Sequence, residues 1–135
     1  MLQMECVANQ RPLTEMRVMT RPLCILSIGY DPTLLHMRTM VLRSNGYVIK
    51  EAQSVEQAQL LAESDLIDLI VICHTVPESD QLKLITAARR ARRLLPILCV
   101  TDQEFGCVAR GCEAASSSPL ELLESVREAV RSHSM

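Results

Sequence analysis

Aromatic side chains are nearly missing from this 135-residue chain, which holds no tryptophan, one phenylalanine (Phe105) and two tyrosines (Tyr30 and Tyr47). The core must therefore be aliphatic, and stacking of nucleic-acid bases on aromatic platforms is largely excluded. Lysine is almost as scarce: Lys50 and Lys83 are two of the 14 cations, and the rest are arginine. With 16 acidic residues the net charge is −2, so no global field draws the chain onto DNA or an anionic membrane. Only 4 glycines are present. They form no G-x-x-x-x-G-K-[ST] or G-x-G-x-x-G cradle, and there is no serine nucleophile elbow. No apolar run approaches the ~20 residues of a membrane span. Arg11 and Arg17 precede the first strand without the apolar stretch of a signal peptide.

What is present is apolar: 48% of the residues are hydrophobic and 22% charged. That composition describes one domain able to bury a core without metals or staples. The 6 cysteines (Cys6, Cys24, Cys73, Cys99, Cys107, Cys112) show no C-x-x-C spacing, and several sit inside apolar runs. They read as small hydrophobes with free thiols, which points to the cytosol. Residues 1–20 have neither helical nor strand period and hold Met1, Met4, Met16 and Met19, so they read as a disordered tail or an early start codon.

From Leu23 short apolar runs alternate with amphipathic stretches. Residues 23–28 predict a buried strand, followed by Asp31-Pro32 as N-cap and first-turn proline. The helix that follows is expected to turn Leu34, Met37, Val41 and Leu42 inward and to stop at Asn45-Gly46. Residues 47–49 predict a weaker strand. Ser54-x-x-Gln57 predicts a capping box, with Val55, Ala58 and Leu61 or Ala62 buried behind it. Residues 69–73 are apolar on both faces, as a central parallel strand must be. A helix over 80–93 is expected to bury Leu82, Ile85 and Ala88. Residues 96–101 form another apolar strand, 102–110 at most a short helix, and 111–116 a poor strand. Ser118-Pro119-x-Glu121 opens a last helix with Leu123, Val126 and Val130 inward.

Such alternation demands a parallel sheet covered by helices on both faces, with any ligand site beyond the carboxyl ends of the strands. The segments to examine are thus 29–31, 73–76, 101–103 and 116–119. The runs Ile25-Leu26-Ser27-Ile28-Gly29-Tyr30-Asp31-Pro32, Asn45-Gly46-Tyr47-Val48, Asp68 to Pro77 and Pro96 to Thr101, in this order, resemble a response-regulator receiver domain of the CheY-like kind. The resemblance spans 21–133. It implies a doubly wound (βα)5 α/β fold with strand order 2-1-3-4-5, here with a shortened fourth helix, and a cytoplasmic, bacterial role in two-component phosphorelay signalling.

In that family an acidic pair ending the first strand binds magnesium, an aspartate ending the third accepts a phosphoryl group, a Thr or Ser ends the fourth, and a lysine follows the fifth. Carried over, the acidic pair falls on Gly29 and Tyr30, with Asp31 one step further on. The acceptor falls on Cys73 and the hydroxyl on Thr101. The lysine falls on Ser118 or Ala115, and no lysine follows Lys83. No aspartate lies between Asp68 and Asp80, so no small register shift restores an acceptor. The expectation is a stand-alone, degenerate receiver (a pseudo-receiver) that is not an enzyme, has no cofactor or metal, and acts on an unknown protein partner rather than on nucleic acid or membrane. The alternative is a thiol- or redox-sensing module using Cys73, which strand alternation separates from direct activation by His74. The cluster Arg89-Arg90-x-Arg92-Arg93 spreads around its helix and reads as a solvated helix end, suited to the C-terminal dipole.

Overall fold

The computed structural model describes residues 22–63, 66–101, 113–116 and 118–133. The tail at 1–20 and the short helix expected at 102–110 lie outside them. Five strands, β1 (Cys24–Ile28), β2 (Val48–Ala52), β3 (Leu69–Ile72), β4 (Ile97–Thr101) and β5 (Glu113–Ser116), form one sheet in the order β2-β1-β3-β4-β5. All pairings are parallel, with Ile25 opposite both Ile49 and Leu69. Helices α1 (Pro32–Arg43), α2 (Val55–Ala62), α3 (Glu78–Ala91) and α4 (Pro119–His133) complete the described elements. The order 2-1-3-4-5 is the one the sequence led us to expect.

The two faces of the sheet bury separate cores. Leu26, Ile28, Ile70 and Ile72 pack with Ala58, Leu84, Ile85 and Ala88 on one side. Ile25, Leu69, Val71, Leu98 and Val100 pack with Leu42, Leu122 and Val126 on the other. This explains why β1 and β3 read as unbroken apolar runs, since neither of their faces meets water, whereas the edge strand β2 exposes Val48 and Lys50.

Local signals set the ends of the elements. The Asp31 carboxylate accepts from the Thr33 and Leu34 backbone N–H groups at 3.0 and 3.2 Å, capping α1. Gly46 leaves the helix with φ +93°, a conformation that favours glycine. Ser54 Oγ caps α2 by accepting from Gln57 N–H at 3.1 Å. Gln57 returns the contact one residue early, its Oε1 accepting from Gln53 N–H at 3.1 Å. At the amino ends of the strands Asp68 Oδ2 accepts from Cys24 N–H at 2.8 Å, tying the start of β1 to the approach to β3.

Helix faces depart from expectation in two places. In α1 the buried residues are Leu35, Arg38, Thr39 and Leu42. Met37 is 55% exposed, while Leu34 and Val41 are half-buried. In α3 the buried residues are Gln81, Leu84, Ile85 and Ala88, and Leu82 faces outward. In α4, Leu122 and Ala129 join Leu123 and Val126 in the core, with Val130 at its margin.

The arginine cluster also divides. Arg90 and Arg93 are exposed, whereas the Arg89 and Arg92 guanidinium groups donate to the carbonyls of Leu95 and Ile67. Half of that cluster therefore staples backbone and does not simply solvate a helix end. Free thiols were expected throughout; Cys24 and Cys73 are free and buried, but Cys99 is disulfide-bonded. Among the described residues no helix is long and apolar enough to cross a membrane.

Candidate functional site

The carboxyl ends of β1 and β3 lie side by side, because Cys73 N–H donates to Ile28 O at 2.9 Å and Gly29 N–H to Ala52 O at 3.1 Å. This brings Gly29 and Cys73 together. A Cβ added at Gly29 would stand 3.2 Å from both Cβ and Sγ of Cys73, and 3.5 Å from Leu35 Cδ1. Any larger residue at 29 would press on the sulfur. Cys73 itself is 1% exposed.

Tyr30 bridges the loops. Its backbone N–H donates to Thr75 Oγ1 at 2.9 Å, and its phenol donates to Asp80 Oδ2 at 2.7 Å in the first turn of α3. Burial, followed by the hydrogen bond and charge of Asp80, pushes the phenol up to about 12. Asp31, the only acid of the 29–31 segment, is committed to capping α1.

Arg38 is the residue the sequence did not single out. It projects from the buried face of α1, is 7% exposed, and lies beside the Cys73 sulfur together with Ser27. Its Nη2 is 3.3 Å from His74 Nδ1. A guanidinium can only donate, so in this contact the ring nitrogen accepts. Arg38 Nη1 and Ser27 Oγ are buried without a hydrogen-bond partner. Burial pushes the Cys73 thiol up and outweighs the opposing pull of Arg38. Arg38 links His74 to Cys73.

Of the remaining positions, Thr101 closes β4 in register with Ser116, and Ala115 lies within β5 opposite Val100. Ser118 precedes α4, and its carbonyl accepts from Leu122 N–H at 2.8 Å. Cys24 opens β1 while Cys73 follows the end of β3, so these two thiols sit at opposite ends of neighbouring strands. Among the described residues no three of His, Cys, Asp and Glu converge as a metal site.

No protein-family model and no curated protein matches the chain. Solved structures do. A CheY-like response regulator receiver domain protein from Methanospirillum hungatei superposes with TM-score 0.70 at 18% identity, over 83% of this chain and 96% of that one. The fold is that of a CheY-like receiver domain. A putative response regulator from Chloroflexus aurantiacus matches at TM-score 0.69 and 26% identity, over 82% of this chain and 99% of its own. The receiver domain of a sensor histidine kinase from Pseudomonas aeruginosa, solved with magnesium coordinated in its active-site cleft, matches at TM-score 0.70 and 19% identity, over 82% and 99%.

The receiver fold raises the question of magnesium here. The residues do not suit it. Magnesium asks for hard oxygen ligands in near-octahedral array, and the positions offer a bare glycine, a phenol bonded to Asp80, a capping carboxylate and a thiol under a guanidinium.

Proposed function

We propose that this chain is a degenerate receiver, acting by protein–protein contact in two-component-type signalling without phosphoryl transfer to aspartate. The observation that carries the reading is the environment of Cys73. A buried, uncharged thiol fills the acceptor position, in contact with Gly29 and beside the Arg38 guanidinium. Acyl-phosphate formation requires a carboxylate nucleophile, and cations must offset the charge of the transferring group. Here the acid is missing, and the nearby carboxylates of Asp31 and Asp80 are held in a helix cap and a tyrosine bond. The chain performs no chemistry of its own on this reading. Its partner is another signalling protein of the cytoplasm, and binding shifts the population of surface states that the partner recognises.

Incubation with a small acyl-phosphate donor and magnesium, followed by intact-mass measurement, is expected to leave the chain unmodified. A labile phospho-adduct would overturn the reading.

A further inference from the structure

Arg38 presents an electrostatic problem. Its side chain is 7% exposed, its Nη1 has no hydrogen-bond partner, and its Nη2 meets a ring nitrogen of His74. Among the described residues no carboxylate pairs with it. An arginine stays protonated in a protein, and a buried charge without a counter-charge is costly. Beside it lie a fully buried serine hydroxyl, also without a partner, and the Cys73 sulfur. Two donors converge where an anion is wanted, and the group at that place is a neutral thiol.

We propose that Cys73 is an oxidation site, converted by a hydroperoxide to a sulfinate that Arg38 and Ser27 then hold as their missing counter-ion. The chemistry balances in two steps. The sulfur attacks one peroxide oxygen and the O–O bond breaks, so Cys–SH and ROOH give Cys–SOH and ROH. A second equivalent gives Cys–SO2H and ROH, and the sulfinic acid releases its proton to water. The sulfinate carries the same single negative charge as a carboxylate and offers two acceptor oxygens. One can take the open Nη1–H of Arg38 and the other the Ser27 hydroxyl.

Burial makes this a slow site. The uncharged thiol is the poorer nucleophile, and the oxidant reaches it through local opening of loops fastened by Tyr30 N–H to Thr75 and Val76 N–H to Cys73 O. Sulfinates are not returned by ordinary thiols. The site therefore records sustained exposure rather than a brief pulse. Cys24, also a buried thiol but at the opposite end of the strands, serves as an internal control. The inference stands apart from the phosphorylation result, which concerns a different reagent and a different adduct.

The full chain is treated with hydrogen peroxide, and peptide mapping locates added oxygen while thermal melting follows stability. The expected product carries two oxygens at Cys73 and melts at or above the reduced protein. The same product in Arg38→Met melts below its own reduced form. Oxidation at Cys24 with Cys73 untouched, or an equal loss of melting temperature in both proteins, overturns the proposal. A second measurement needs no oxidant: Cys73→Asp installs a carboxylate directly. It is expected to melt at or above Cys73→Asn when Arg38 is present, and below it in Arg38→Met. Should Arg38→Met fail to fold, the order of the two Cys73 variants in the native background decides. Asp below Asn there defeats the idea.

Discussion

Tyr30 spans the gap between two loops with one side chain, its backbone bonded to Thr75 and its phenol to Asp80. The phenol is raised from its ordinary 10 to about 12, first by burial and then by the Asp80 carboxylate. A group whose pKa is raised on folding stabilises the fold while it stays protonated. That contribution is fully present below about pH 10 and fades as the pH climbs through about 12. Alkaline titration followed by phenolate absorbance should therefore show a late step near pH 12 that is absent from Tyr30→Phe. Denaturant stability of the native chain should fall faster across that window than the stability of the variant. A titration without the late step defeats the assignment. Gly29 and Cys73 could be found from the sequence because they end apolar runs. Arg38 could not, because its meaning comes from packing α1 against a strand far along the chain.

Helix α1 shows where periodicity misleads. Two stripes compete on it: Leu34, Met37 and Val41 form the more apolar one, while Leu35, Arg38, Thr39 and Leu42 form the buried one. The buried stripe carries two polar residues, so a rule that places apolar side chains inside selects the wrong face. The same conflict recurs in α3, where Gln81 is buried because its Nε2 donates to Val76 O at 2.9 Å and Leu82 is left outside. Capping signals fared better, since Asp31 and Ser54 act on neighbours within a few residues. Truncation separates the two stripes of α1. Leu35→Ala is expected to cost about 2–5 kcal/mol, and Met37→Gln under about 0.5 kcal/mol, both read by urea denaturation. Equal losses at the two positions would mean that the helix is rotated from the orientation described.

At the scale of the whole molecule, the receiver fold is shared with relatives at 18% and 26% identity. In this chain the burial pattern is clear: β1 and β3 are buried along their whole length, and the helices along one side. The strands were accordingly the most legible part of the chain, except β5, whose Glu113-Ala114-Ala115-Ser116 carries little apolar signal. The carboxyl ends of β1 and β3 offer a glycine, a phenol bonded to Asp80 and a buried thiol, so the molecule as a whole should be indifferent to magnesium. Millimolar magnesium is expected to leave the melting temperature unchanged, whereas a saturable rise would reveal a cation site. Sheet order has one further consequence, felt during synthesis. Among the described strands the earliest in the chain, β1, is an interior one, and both of its partners, β2 and β3, follow it. Until they emerge, Cys24-Ile25-Leu26-Ser27-Ile28 is an apolar segment with two open edges, the kind of surface on which nascent chains aggregate.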